Sequence, residues 1–222
     1  MKVVERLSDC WYKNTCTTEC SNSCIRYLEM KYLMDNSNIP KVKQMPQSLT
    51  APKCDIEAYR TLADIKSDIV DFVECGSNLY IASDRTGNGK TSWAIKIMLK
   101  YFDSIWAGNG FRPRALFIHV PTFLLKCKDF NNKDEKFEEM KNLLPDIDLV
   151  VWDDIASTDV SAYDYSQLLM YIDNRLLNGL SNIFTGNYAD RGRLEKRVGM
   201  KLASRIWSDT TEVIIFEGGD MR

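Results

Sequence analysis

No stretch of this 222-residue chain is apolar for long enough to cross a bilayer, which excludes a helical membrane protein. The opening "MKVVERLSDC" has no apolar core of the kind a secretion signal needs. A cytoplasmic protein with reduced thiols is therefore expected. There is one histidine, His119 in "ALFIHVP". With no histidine partner it reads as structural rather than catalytic. The net charge of −2 gives no global basic character, so binding nucleic acid through the whole surface is disfavoured and only local patches remain. No internal repeat or low-complexity tract is present. The hydrophobic fraction of 45% and charged fraction of 27% are those of an ordinary globular protein.

Cysteine is unevenly spread: Cys10, Cys16, Cys20 and Cys24 crowd the start, whereas Cys54, Cys75 and Cys127 are scattered. The scattered three read as small buried hydrophobes. The cluster "CWYKNTCTTECSNSC" has C-x5-C-x3-C-x3-C spacing. Four thiolates amid polar residues that cannot build a core suggest a tetrahedral Zn²⁺ site, with an iron–sulfur cluster as the alternative. The competing reading, one helix face carrying Cys16, Cys20 and Cys24, conflicts with the poor helix formers Thr17, Thr18, Ser21, Asn22 and Ser23.

Residues 25–34 suggest a short amphipathic helix, and residues 35–54, with three prolines and no period, read as a linker. This divides the chain into a cysteine-rich N-terminal domain (1–34), a linker (35–54) and a larger domain (55–222). Asp55 is placed to cap a helix that Gly76 closes. Beyond it, strands are predicted at 78–82, 114–120, 148–152, 182–186 and 211–216. Helices are predicted at 90–103, 121–127, 134–144, 162–178 and 190–206. Ser161 and Asp164 form a capping-box pattern. Strand–helix alternation implies an α/β fold with a parallel sheet covered on both faces.

The segment "NLYIASDRTGNGKTSWAIKIM" places a glycine-containing loop between a buried strand and a helix. That is the context of a phosphate-binding loop. Gly87 and Gly89 let the backbone curl around a phosphate, and the helix after Gly89 aims N–H groups at it. Thr86, Asn88 and Ser92 complete the candidate nucleotide contacts. Lys90 is the β,γ-phosphate ligand and Thr91 the Mg²⁺ ligand. Asp84 stands where the usual pattern has its first glycine, close to the strand and away from the phosphates.

In "PDIDLVVWDDIAS" an apolar strand ends in two carboxylates, at the end of a parallel sheet where ligands bind. Asp153 is the candidate for holding Mg²⁺, and Asp154 for orienting the attacking water. In "SNIFTGNY", Asn187 either places an amide near the γ-phosphate or belongs to a polar turn. Arg193, Arg197, Lys201 and Arg205 form a stripe beside an apolar one. Such a stripe is a solvated face, or it supplies an arginine to a neighbouring active site.

Taken in order, the cysteine cluster, "TGNGKT", "LVVWDD", "FTGN" and "KLASRIW" resemble the DnaC/DnaI-type replicative helicase loaders of the AAA+ class, in particular their short phage-encoded versions. The resemblance implies an AAA+ core with five parallel strands, ATP as ligand, self-association through the ATPase domain, a DnaB-type helicase partner and contact with single-stranded DNA. It makes Lys90 and Thr91 the Walker A residues, Asp153 and Asp154 the Walker B pair, Asn187 sensor 1 and Arg205 the arginine finger. Residues 1–34 become the helicase-binding candidate. No separate helical lid is expected after the last strand. The family often has Asp-Glu where this chain has Asp153-Asp154, which suits slow hydrolysis by a switch. An IstB-type transposition ATPase and a non-hydrolysing adaptor or inhibitor are the alternatives. For the DNA, "FLLKCKDF" offers Lys126, Lys128 and Phe130, and the basic stripe offers a second surface.

Overall fold

The computed structural model describes residues 7–17, 20–45, 48–129, 134–157 and 161–220. Helix α1 spans Ile25–Asp35, α2 Ile56–Ser67 and α3 Ile69–Glu74. Strand β1 (Asn78–Ala82) leads through a loop into α4 (Lys90–Ile105). Then follow β2 (Ala115–His119), α5 (Val120–Lys128), α6 (Glu135–Leu143), β3 (Leu149–Ile155) and α7 (Ala162–Leu177). The chain continues with β4 (Ser181–Gly186), α8 (Arg191–Val198), α9 (Met200–Ile206) and β5 (Thr211–Ile215). The strands pair in parallel in the order β2-β3-β4-β1-β5. The five strands expected from the sequence are thus the five found. Among the described residues no helix is long and apolar enough to cross a membrane.

Alternation along each strand divides the core into two layers. Leu79, Ile81, Phe117, Val151 and Ile183 face α4, α2 and α3; Tyr80, Ile118, Val150, Trp152 and Phe184 face α5, α7, α8 and α9. A strand buried on both faces is apolar along much of its length, which is why residues 79–82 of β1 and 149–152 of β3 read as unbroken apolar runs.

The N-terminal segment joins the first of these layers. Cys10, Tyr12 and, from α1, Met30, Leu33 and Met34 share a buried cluster with Ile97 and Met98 of α4. Ser37 O accepts from Phe117 N at 2.7 Å, and Asn38 Nδ2 donates to Phe117 O at 2.9 Å. Residues 37–38 therefore satisfy backbone groups of β2 at the sheet edge, which would otherwise offer an open ladder.

Three local expectations change. The helix expected over 190–206 is two helices, because Gly199 turns the backbone to φ 80°, ψ 151°. The helix beginning after Asp55 breaks at Asp68, whose φ −100°, ψ 25° is not helical. Asp55 does not cap that helix with its side chain. Its carboxylate instead accepts Glu217 N at 2.8 Å and Gly218 N at 3.1 Å, pinning the segment after β5. The capping box of Ser161 and Asp164 forms as expected.

Gly76 closes α3 at φ +64°, and a Cβ there would lie 2.2 Å from the carbonyl oxygen of Gly179. Both the left-handed conformation and the backbone contact exclude a side chain. Gly76→Ala is expected to lower the unfolding free energy by roughly 2 kcal/mol or more, read from the denaturant midpoint. An unchanged midpoint would show that this turn relaxes freely.

Candidate functional site

The loop after β1 and the C-terminal ends of β3 and β4 meet at one edge of the sheet. Strand β4 lies between β1 and β3, so a residue near the end of β4 is flanked by the phosphate-type loop and the acidic pair. Gly87 and Gly89 hold φ +75° and +92°, the left-handed values the loop requires of them. Gly89 precedes the first residue of α4, and no side chain caps that helix. Its first N–H groups and positive dipole end form the kind of helix start that suits an anion.

Lys90 lies at the base of this loop. Its Nζ donates to Arg85 O at 2.8 Å and to Asn88 Oδ1 at 3.0 Å, and only 8% of the residue is exposed. Asn88 is buried and donates to Ser83 Oγ at 2.6 Å. Thr86 is exposed at the rim. Ser92 borders a recess on the outer side of α4 with Trp11 and Lys43. Asp220, in the segment that follows β5, sets its carboxylate against Gly87, where a Cβ would meet Oδ1 at 2.1 Å.

The missing first glycine has a structural answer. Asp84 is absent from the positive-φ residues, so nothing at that position demands glycine. Its carboxylate accepts Ala189 N at 3.2 Å and pairs with Arg193 Nη1 at 2.7 Å. The residue thereby ties the mouth of the loop to α8.

Thr91 Oγ1 donates to Asp153 Oδ1 at 2.7 Å, joining the start of α4 to β3. Thr185 Oγ1, on β4, donates to the same oxygen at 2.8 Å and accepts Asp154 N at 2.9 Å. Asp154 lies in a register shift between Trp152 and Ile155 and holds φ 60°. Aspartate tolerates that conformation better than most residues, and the bulge re-aims its side chain. Asn187 Nδ2 then donates to Asp154 Oδ1 at 3.3 Å. The structure thus brings Thr91, Asp153, Asp154 and Asn187 together, with Lys90 in the adjoining loop. Thr185 was not foreseen; its place one residue before the end of a buried strand, two before Asn187, was the available signal.

The chemistry of the donors fits Mg²⁺. Thr91 and Asp153 present adjacent hydroxyl and carboxylate oxygens, the hard ligands this cation selects alongside water and phosphate. Arg205 does not join the cluster. It pairs with Asp173 of α7, and its side chain remains 43% exposed.

In this structure the thiols of the cysteine cluster are not gathered as a set of ligands. Among the described residues no group of three or more His, Cys, Asp or Glu side chains is placed to hold a metal. Cys10 is buried in the layer beneath α4, Cys16 packs against that layer, and Cys20 Sγ lies 3.5 Å from Leu7 N. Cys10 and Cys16 serve as small packing groups on the existing core, whereas Cys20 and Cys24 are half-buried outside it.

The cations singled out for DNA are also engaged. Lys126 pairs with Asp134 and Lys128 with Asp164, each at 2.7 Å. Phe130 lies outside the described residues. In the other stripe, Arg193 pairs with Asp84, while Arg197 donates to the carbonyls of Ala156 and Ser157.

No family model and no curated protein matches the chain in sequence. Solved structures do match in fold. The DnaC helicase loader aligns with TM-score 0.60 at 21% identity, covering 77% of this chain and 94% of its own. DnaI aligns with TM-score 0.62 at 16% identity, covering 84% and 95%. The replication initiator DnaA, bound to AMPPCP and single-stranded DNA, aligns with TM-score 0.58 at 15% identity, covering 86% of this chain and 51% of its own. The chain, a five-stranded parallel α/β structure, therefore shares its fold with the DnaC helicase loader, DnaI and the replication initiator DnaA.

Proposed function

We propose that this chain is an ATP-dependent loader that binds a DnaB-type replicative helicase and helps place it on single-stranded DNA. The observation carrying the reading is the Thr91–Asp153–Thr185 hydrogen-bond cluster beside the uncapped start of α4. A phosphate-binding helix end and a carboxylate–hydroxyl pair are what a nucleoside triphosphate with Mg²⁺ requires. The cation neutralises charge on the β- and γ-phosphates when bound. Thr91 and Asp153 would hold it, and Lys90 would exchange its present carbonyl and amide partners for phosphate oxygens. Asp154, steadied by the Asn187 amide, orients the attacking water.

The shorter Asp154 in place of a glutamate fits slow hydrolysis, as in a switch that reports nucleotide state. Arg205, on the surface of α9, completes the site of a neighbouring copy, and residues 1–34 carry the helicase contact. An Arg205→Ala protein with full turnover would exclude the first of these roles.

The test is ATP turnover with and without single-stranded DNA, together with retention of the helicase in ATP and in ADP. Lys90→Ala is expected to lower turnover about 100-fold, the scale of losing a charge-stabilising group. The helicase is expected to be retained in a nucleotide-dependent manner. ATP binding with negligible turnover that neither Lys90→Ala nor Asp154→Ala changes would replace the enzyme with a nucleotide-dependent adaptor. Loss of helicase retention in both nucleotide states would refute the loader.

A further inference from the structure

On the face of α4 turned away from the acidic pair, Ser92, Ile95, Lys96, Leu99 and Lys100 follow one another at helical spacing. They line a recess of about 140 Å³ completed by Trp11, Lys43, Met45 and Lys66. Four lysines from three separate segments thus ring an apolar floor that contains an indole. Among the described residues no acidic residue lines it.

Three of the four lysines differ from the other cations considered above. Lys100 is paired with Asp103 at 2.8 Å. Among the described residues, Lys43, Lys66 and Lys96 make no ion pair. Lys96 lies over the Trp93 ring at 5.1 Å. Burial, and then the charge of Lys66, hold the Lys96 ammonium below its ordinary value. Two ammonium groups that repel one another without a carboxylate between them form a site of positive potential awaiting an anion.

We infer that this recess binds single-stranded nucleic acid, with one unstacked base against Trp11 and the flanking phosphates on Lys43, Lys66 and Lys96. The chemistry selects the ligand. Cations beside an aromatic platform are the combination by which proteins hold a single strand. In a duplex the bases are stacked inside and cannot reach such a floor. An acidic helix needs several anchors at i, i+3 and i+7, and a recess of this size admits one ring. Ser92 adjoins Thr91 in the sequence, so the proposed strand site and the Mg²⁺ ligand share the first turn of α4.

The inference rests on the loader reading for the strand being a substrate, but not for the recess being a site. The experiment is fluorescence anisotropy of a labelled oligothymidylate with the full chain, without nucleotide, across a range of salt. The double variant Lys66→Ala/Lys96→Ala is expected to bind at least tenfold more weakly. Its log–log salt slope should be shallower by about 1.4, the value for two lost phosphate contacts on a single strand. Trp11→Ala is expected to weaken binding by about tenfold, and Trp11→Phe should restore most of it. Trp11 packs against the core, so circular dichroism checks folding and the lysine pair stands as the independent variant.

Wild-type binding that the lysine pair leaves unchanged in strength and slope overturns the recess and leaves the loader reading intact. Stronger binding to a duplex of equal length, or to polyglutamate, also overturns it. Loss of ATP turnover or helicase retention, with lysine-dependent oligothymidylate binding preserved, refutes the loader reading while the inference stands.

Discussion

Arg175→Met is expected to unfold the protein or lower its unfolding free energy by about 4 kcal/mol, a large part of the total stability of a domain this size. Arg175 lies in α7 and is fully buried. Its Nε donates to Asn182 Oδ1 at 2.8 Å, and its Nη1 to the carbonyls of Leu144 and Ile147, each at 2.7 Å. Nη2 donates to Ser181 O at 2.7 Å and reaches Asp148 O at 3.4 Å. One planar fork thereby joins α7 to the start of β4 and to the turn leading into β3. Among the described residues no carboxylate pairs with it directly; the Asp148 carboxylate is held by Arg114 and Tyr101.

Burial pushes the Arg175 guanidinium down to about 9, so it remains charged at neutral pH and its carbonyl shell must satisfy it. Methionine fills much of the volume but leaves several buried acceptors short of a donor, at about 1–3 kcal/mol each where no second partner exists. Lysine keeps the charge but has no fork, so Arg175→Lys is expected to lose nearly as much. Chemical denaturation of both variants checks this. An Arg175→Lys protein within about 1 kcal/mol of wild type would show that the charge matters and the fork does not.

Why Arg175 escapes sequence reading is instructive. In "YIDNRLL" it has the spacing of an ordinary arginine near the end of a helix, where cations favour the dipole. Its role depends on carbonyls 27 to 31 residues earlier, which no local pattern reports. The strands were legible for the opposite reason: burial on both faces imposes an apolar run that is itself local. The loop from Gly87 to Thr91 was legible because backbone curvature and phosphate chemistry restrict adjacent residues.

The cysteine cluster shows the limit of such spacing arguments. Four thiols close in sequence look like ligands only if nothing else uses them, and here the layer beneath α4 takes up Cys10 and Cys16. The lysine recess is the converse case. Trp11, Lys43, Lys66 and Lys96 are far apart in sequence and gather only because α1, α2 and the N-terminal turns pack around α4. Asp84 belongs to both cases: its departure from the loop pattern was visible, but its partner Arg193 was not.

Thr185→Val should raise the Mg²⁺ concentration needed for half-maximal ATP turnover by tenfold or more, while Thr185→Ser should stay near wild type. Thr185 is 1% exposed and makes two bonds with one hydroxyl. It donates to Asp153 Oδ1 and accepts from Asp154 N. The isosteric valine removes both and orphans the N–H that fixes the left-handed turn of Asp154. In the nucleotide-bound state proposed above, the Thr91 hydroxyl would be one of the groups holding the cation and would no longer serve Asp153. Thr185 is then the remaining hydroxyl known to hold Asp153. Hydrogen bonds to a charged group contribute about 1.5–3 kcal/mol, so losing this one corresponds to roughly 10- to 100-fold in how well Asp153 is poised. The Mg²⁺ dependence separates this positioning role from a loss of packing, which would lower stability and leave the cation requirement unmoved. If Thr185→Val alters the denaturation midpoint but not the Mg²⁺ titration, the hydroxyl is only a brace between β3 and β4. If it moves the titration and serine reverses the change, the middle strand orients the carboxylate on its neighbour.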